Sequence, residues 1–423
     1  MKKNIAIIGC QNGDEGKGKV ITFVAPILIN LADGQEILSY RFQGGGNAGH
    51  TAIIGEKRYA LHQLPSGIIL AQTYGLLGKG MFIEPKGLVK EIETISSSGI
   101  VIDKNKLGIS SKAHITLDYH LNDDQSSFNL AEHTSTGNGI KQTARDKVNR
   151  TGIRFVEFLD RDLMIKILKE KTFPQGLPER YNSYEQFADS YAEERNFLAP
   201  FLALEHEIFN KFDYALAEGA QGLMLDLDDG QYPGITSSNP AHPTHRPDLY
   251  LGVFKMYLSS VGIGDRPFVT EMDADLQSRL IQPWGEFGTT TKKPRHIGWF
   301  NAVEGKYALE SAHLDALAGT KLDDLELLAE LGEKIKICVA YEIDGKRYDR
   351  WETNFDRRDV LSKAKPIYEE FDSWERTVEK DGQTLTPNAQ KYVNSLEELL
   401  GKRFSLIGVG PEQKQMIVRE QII

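Results

Sequence analysis

Residues 4–19 constrain this chain more than any other stretch. The apolar run Ile5-Ala6-Ile7-Ile8 predicts a buried strand, and it passes directly into Gly9-Cys10-Gln11-Asn12-Gly13-Asp14-Glu15-Gly16-Lys17-Gly18-Lys19. The apolar segment 20–29 then predicts a helix, which Pro26 is expected to bend or end. Strand, glycine turn and helix in that order form a phosphate cradle: backbone N–H groups converge on the anion, and the helix N-terminus adds its positive dipole end. Gly13 to Lys19 fits G-x-x-x-x-G-K, but Val20 stands where a P-loop carries the Ser or Thr that holds magnesium. Asp14 is the second departure. A carboxylate in such a loop repels phosphate unless a metal or the chemistry requires it. Lys17 and Lys19 read as surface charges in a plain turn; inside a glycine loop, at least one is expected to meet phosphate.

The chain has 423 residues and a formal net charge of −10, which argues against a general nucleic-acid binder but leaves room for a local basic pocket. Two cysteines, Cys10 and Cys338, are too few for a disulfide framework and suit a reducing compartment. No signal peptide and no membrane-spanning apolar run is read, so the expectation is a cytoplasmic protein. Strand-like runs at 5–8, 37–42, 74–77, 113–117, 214–217, part of 316–322, 335–341 and 404–409 alternate with helix-like segments at 85–97, 161–171, 183–211, 249–259 and 301–314. The alternation predicts an α/β fold with a central, largely parallel sheet flanked by helices and a P-loop-NTPase-like nucleotide site. The lack of a linker predicts one elaborated domain over 1–423, with 173–186 as a covering loop.

Further glycine loops follow later strands. Residues 37–42 lead into Gln43-Gly44-Gly45-Gly46-Asn47-Ala48-Gly49-His50-Thr51, where His50 is a candidate acid or donor near neutral pH, against the commoner structural histidine. Glu218-Gly219-Ala220-Gln221-Gly222 follows 214–217, and Gln221 offers a donor and an acceptor to a base edge. Thr134-Ser135-Thr136-Gly137-Asn138-Gly139 and Tyr232-Pro233-Gly234-Ile235-Thr236-Ser237-Ser238-Asn239 are hydroxyl-bearing turns that read equally as plain polar loops. Thr289-Thr290-Thr291-Lys292-Lys293-Pro294-Arg295-His296 is the densest cationic cluster in an acidic chain, and it reads as an anion loop. In Thr320-Lys321-Leu322-Asp323, a carboxylate suits the paired N–H donors of guanine and a lysine stem can lie over the base, which favours GTP over ATP.

Together these residues resemble the adenylosuccinate synthetase family over essentially the whole chain, to Gly408-Val409-Gly410-Pro411. The motifs that carry the resemblance are Gly13 to Lys19, Asn47 to Thr51, Glu218 to Gly222, Thr236 to Asn239, Asp146-Lys147-Val148, Thr320 to Asp323 and Gly298-Trp299. The resemblance implies a GTP-dependent ligase that joins L-aspartate to IMP through 6-phosphoryl-IMP. It implies Asp14 as base on N1 and as magnesium ligand with the Gly49 carbonyl, His50 as acid, and Lys17 as phosphate support. Implied GTP contacts are Gly13, Glu15, Gly16, Lys17, Gly18, Lys19, Gly49, His50, Thr51, Arg295, Lys321, Leu322, Asp323, Gly408, Val409 and Gly410. Implied IMP contacts are Asp14, Asn47, Ala48, Gly49, His50, Thr136, Arg150, Gln221, Thr236 and Lys293, with Arg150 reaching the neighbouring subunit of a homodimer. Thr289, Thr290, Thr291, Lys293 and Arg295 are implied to hold aspartate.

The chain departs from that family's pattern in places. Asn12 stands for the usual Trp, Gly46 occupies a variable position that is often His, and Asn138 replaces an Arg. The segment 240–247 replaces a glycine-rich stretch and is expected to reshape the ribose side. Lys293 replaces an Arg and Lys292 a flexible Gly, which puts the amine donor in question, because Lys lacks the bidentate fork. Related phage enzymes that aminate dGMP typically lose the first-loop Asp, so Asp14 favours a hypoxanthine nucleotide. A paralogue coupling an amine to another 6-oxopurine nucleotide and a non-catalytic GTP-binding regulator are the alternatives.

Overall fold

The computed structural model describes residues 3–128, 135–170, 177–261, 266–288 and 292–422, excluding the side chains of 127 and 128. Its main sheet is built from β1 (Lys3–Gly9), β2 (Ile37–Arg41), β3 (Thr73–Leu77), β4 (Leu107–Ser110), β5 (Leu202–Ala203), β6 (Tyr214–Glu218), β7 (Leu249–Lys255), β8 (Ala316–Thr320), β9 (Phe404–Gly408) and β10 (Met416–Val418). The spatial order is β10-β9-β8-β7-β1-β6-β2-β3-β4-β5. Every neighbouring pair is parallel except the edge pair β9 and β10. Residues of β1 alternate between two cores, as strand geometry requires. Ile5 and Ile7 pack with Val20, Ile21, Val24 and Leu28 of the helix Lys17–Leu31, while Ala6 and Ile8 join the large core on the opposite face.

The parallel arrangement gathers the carboxyl ends of β1, β6, β2, β7 and β8 along one edge. Ligands in open α/β sheets sit beyond this edge, and all the strand-ending loops singled out above lie there. Ile335–Ile343 is a long strand, as expected, but it belongs to a separate small sheet with Phe300–Asn301, Lys346–Tyr348 and Lys365–Phe371. The strand expected over 113–117 is only His114–Ile115, paired with Phe82–Ile83.

Three helix expectations change. Residues 249–259 are not helical: they form β7 and the short strand Leu258–Ser260. β7 lies between β1 and β8, with Leu251 and Val253 in one core and Phe254 in the other. A strand buried on both faces loses polar alternation and cannot be told from a buried helix by pattern alone. The expected helix over 183–211 is divided into Tyr184–Asp189, Ala192–Leu198 and Glu205–Phe209, with Pro200 in the break between the second and third. The first of these occupies part of the expected covering loop, because Ser183 caps it by accepting the Gln186 N–H at 3.1 Å. The rest of that expected loop lies partly outside the described residues. Finally, Pro26 does not end its helix, which continues to Leu31. The missing N–H frees the carbonyl of Thr22, and the Gln413 side-chain amide donates to that oxygen. Among the described residues no helix is long and apolar enough to cross a membrane.

Leu251→Ala is expected to lower unfolding free energy by about 2–5 kcal/mol, read from the urea midpoint, because the side chain is fully buried at the centre of the sheet.

Candidate active site

The first loop is held open by its own backbone geometry. Gly13, Asp14 and Gly16 have φ of 88°, 60° and 82°, so left-handed residues turn the chain sharply before the helix begins at Lys17. Asp14 is the strained member, since it carries a Cβ in a region that favours glycine. Glu15 pays no part of its side chain to the cavity. It is fully buried, and its Oε1 accepts the N–H groups of Gln11 at 3.1 Å and Gly13 at 2.8 Å. Its Oε2 accepts the Lys17 ammonium at 2.7 Å, and Lys17 also donates to the Gln221 carbonyl at 2.6 Å. Thr320 donates its hydroxyl to the Glu15 carbonyl at 2.6 Å, which ties β8 to the loop. Lys19 donates to the carbonyls of Gly410 and of Gln415, and burial pushes its ammonium down to about 8. Lys17 and Lys19 are thus both held in place by backbone carbonyls while lining the cavity.

That cavity, about 1330 Å³, opens above the carboxyl edge of the sheet. The first loop contributes Gly13, Asp14, Gly16, Lys17, Gly18 and Lys19; the second contributes Asn47, Ala48, Gly49, His50 and Thr51. Thr136, Gln221 and Thr236 line it from three further loops, as do Lys293, Arg295, Lys321 and Gly410. Of the other expected residues, Glu15, Leu322, Asp323, Gly408 and Val409 are not among the lining residues. Arg150 is exposed at the end of the helix Ile140–Val148, also away from the lining. Thr289, Thr290 and Thr291 lie outside the described residues.

His50 and Glu218 form a buried pair, Nδ1 to Oε1 at 2.6 Å. Glu218 also accepts the Ser66 N–H at 2.6 Å and the Ser66 hydroxyl at 2.5 Å. Burial alone would raise the Glu218 carboxyl; the neighbouring His50, the Arg41 guanidinium and the Ser66 hydroxyl outweigh it and hold it at about 2. An ionised carboxylate only accepts, so Nδ1 carries the proton and Nε2 is the other ring position. Burial pushes the imidazole below its ordinary value, against the pull of Glu218. His50 is therefore neutral near pH 7 until negative charge enters beside it. Glu218 closes its strand inside an otherwise apolar run, and a lone acid in that setting was the available sequence signal for its role.

Arg295 joins two carboxylates. Its Nη2 lies 2.7 Å from Asp14 Oδ2, and its Nη1 donates to Glu286 Oε2 at 2.8 Å. Glu286, which the motifs did not single out, is completely buried. Two of the expected site residues carry buried acceptors without a donor. Gln221 Oε1 and Asp323 Oδ1 have no hydrogen-bond partner, and burial followed by the neighbouring Asp324 raises the Asp323 carboxyl to about 6. A buried acceptor without a donor is costly, and a base edge with N–H groups would satisfy it.

The departures are placed as follows. Asn138 donates to the Thr136 hydroxyl at 2.9 Å, and Asn12 accepts from the buried Arg266 guanidinium. Lys292 has φ 56°, a left-handed position suited to glycine. Contrary to expectation, none of residues 240–247 lines the cavity. That segment packs behind it: Asp226 accepts the Ala241 N–H at 3.1 Å, and His242 pairs with Asp229 at 2.6 Å.

A sequence profile of the adenylosuccinate synthetase family matches residues 6–417. The chain belongs to the adenylosuccinate synthetase family. It is 36% identical to the adenylosuccinate synthetase of Caldanaerobacter subterraneus subsp. tengcongensis, covering 97% of this chain and 98% of that relative. The fully ligated adenylosuccinate synthetase of Plasmodium falciparum superposes with a TM-score of 0.85 at 31% identity, covering 99% of this chain and 100% of that one. The succinoaminodeoxyadenylate synthetase of cyanophage S-2L, solved with dGMP and dATP, shares the fold at a TM-score of 0.63 and 15% identity, over 100% of this chain and 96% of that one.

Because Glu218 gains its low pKa only in the folded protein, it stabilises the fold above its ordinary value near 4.5, and that contribution is lost as pH falls toward about 2. Glu218→Gln is expected to be less stable than the parent at pH 7, with the gap between their urea midpoints narrowing steadily below pH 4.5.

Proposed function

We propose that this protein is a GTP-dependent ligase that joins L-aspartate to IMP, forming adenylosuccinate, GDP and phosphate. The observation that carries this reading is the convergence of Asp14 and His50, from two different strand-ending loops, on one cavity that also holds the phosphate-type loop. Asp14 takes the N1 proton of the hypoxanthine ring, so that O6 attacks the γ-phosphorus of GTP and GDP departs. The aspartate amine then attacks C6 of the 6-phosphoryl-IMP, and phosphate leaves with the former O6. His50, oriented by Glu218, donates to the transferring phosphoryl group through Nε2; the incoming anionic charge favours its protonated form. Phosphoryl transfer of this kind relies on positioning and charge compensation more than on covalent catalysis by the protein.

GTP would sit with its phosphates over Gly13, the Glu15 backbone, Gly16, Lys17, Gly18 and Lys19, near Gly49, His50, Thr51 and Arg295. Its base would lie at Lys321, Leu322 and Asp323, beside Gly408, Val409 and Gly410. The unpartnered Asp323 oxygen supports guanine, because two adjacent N–H donors match a carboxylate. IMP would meet Asn47, Ala48, Thr136, Gln221 and Thr236, with Lys293 and, from a neighbouring subunit, Arg150. The exposure of Arg150, away from its own cavity, supports a homodimer of that kind. Aspartate would contact Lys293, Arg295 and the threonines 289, 290 and 291.

Asp14 and Gly49 both line the cavity, and a carboxylate and a carbonyl are hard oxygen donors that, completed by phosphate oxygens, would suit Mg2+. When bound there, the ion would neutralise charge on the phosphates. Two buried free cysteines, Cys10 and Cys338, support a reducing, cytoplasmic location.

Asp14→Asn suits the test, because Asn tolerates φ near 60° where Ala is strained. In an absorbance assay with IMP, GTP, magnesium and aspartate, turnover is expected to fall about 10²–10⁴-fold while GTP affinity changes only a few-fold. Turnover equal to the parent would remove Asp14 from the role of base; product from dGMP but not IMP in the parent would favour the 2-amino purine reading.

A further inference from the structure

Three cations and a phenol converge on Glu286. Its Oε1 accepts from Lys255 at 3.0 Å, from Lys321 at 3.1 Å and from the Tyr257 hydroxyl at 2.5 Å; its Oε2 accepts from Arg295 at 2.8 Å. Lys321 and Tyr257 also share Asp324 Oδ2, at 3.1 and 2.8 Å. The arrangement is set by backbone as well as by charge. Arg295 N–H donates to the Glu286 carbonyl at 2.9 Å, and Gly288 N–H donates to the Lys293 carbonyl at 2.8 Å, so Glu286 and Arg295 face each other at the base of the cationic loop. Glu286 is fully buried and does not line the cavity, whereas Lys321 and Arg295 do. Its one carboxylate therefore compensates a cation on the base side of the nucleotide site and a cation on the phosphate side.

We infer that Glu286 is a positioning residue that couples the guanine end of the site to the phosphate end, by fixing Lys321 and Arg295 on a single buried carboxylate. This inference rests on the GTP reading given above. The physical reason is shared compensation. If Lys321 is drawn toward the base, Glu286 holds Arg295 more tightly; if Arg295 is drawn toward phosphate, Glu286 holds Lys321 more tightly. Groups that share one partner in this way do not act additively. Arg295 also holds Asp14 at 2.7 Å, so the same carboxylate bears on where the proposed base is held.

The test is a double-mutant cycle on GTP affinity, with the full-length protein titrated with Mg·GTP and followed by calorimetry. Lys321→Met, Arg295→Met and the double variant are compared in the parent background and in a Glu286→Gln/Lys255→Met background. The paired background change removes one buried carboxylate and one buried ammonium together, which keeps the interior charge balanced. In the parent, the product of the two single effects on Kd is expected to differ from the double effect by about 5-fold or more. In the paired background that discrepancy is expected to shrink to within about 2-fold. A Glu286 that serves only the fold would lower Tm and weaken GTP uniformly, leaving the discrepancy unchanged, and would overturn the inference. Independent effects in the parent cycle overturn it without any Glu286 variant, and leave the GTP reading intact. Absence of GTP binding by the parent protein removes the GTP reading and this inference together.

Discussion

The buried Glu15 carboxylate gathers the Gln11 and Gly13 N–H groups and the Lys17 ammonium, and the geometry of the active cavity follows from that gathering. A Cβ at Gly9 would collide with the Glu15 carboxylate, so the first strand must end on glycine for the acid to fit. With Glu15 turned inward, the chain passes through left-handed conformations at Gly13, Asp14 and Gly16, and Asp14 is set on the cavity wall. Two adjacent acids thus have opposite tasks. One builds the loop from within, and the other lines the cavity, where Arg295 pairs with it.

The same logic of buried acids recurs around the cavity. Glu218 fixes the tautomer of His50, and Glu286 fixes Arg295 and Lys321. Each acid is out of contact with solvent and is kept ionised by cations or hydrogen-bond donors at its own oxygens. Such buried charges are expensive unless fully paired, and both oxygens of Glu218 and of Glu286 have partners. Gln221 Oε1 and Asp323 Oδ1 show the opposite condition: buried acceptors with no hydrogen-bond partner in the protein.

Much of this was legible in the chain. The strand-turn-helix at its start, the loops ending at His50 and Gln221, and the Thr320-Lys321-Leu322-Asp323 element all lie along the carboxyl edge of one parallel sheet, where their glycine content placed them. What escaped was nonlocal. Strand β7 read as helix because both of its faces are buried, and Pro26 was expected to bend or end its helix because Gln413, which donates to the freed Thr22 carbonyl, lies in a distant loop. Glu218 and Glu286 take their roles from partners such as His50, Lys255 and Lys321 that are distant in sequence; a lone acid closing its strand marked Glu218, and no motif marked Glu286. The departure at 240–247 was read as a change in the pocket, yet it packs behind the wall through Asp226 and Asp229. The departures at Asn12, Lys292 and Lys293 do reach the cavity, so the first loop and the cationic loop are where this chain's lining differs from the family pattern.

In the proposed reaction, O6 of a hypoxanthine nucleotide attacks phosphorus before the amine reaches C6. The most direct measurement follows the oxygen itself. IMP labelled with 18O at O6 is converted in the presence of GTP, magnesium and aspartate, and the isotope is traced by mass spectrometry of the released phosphate. The account predicts one 18O in each phosphate formed, because O6 leaves C6 bonded to the transferred phosphorus. Label released into water, with unlabelled phosphate, would contradict it.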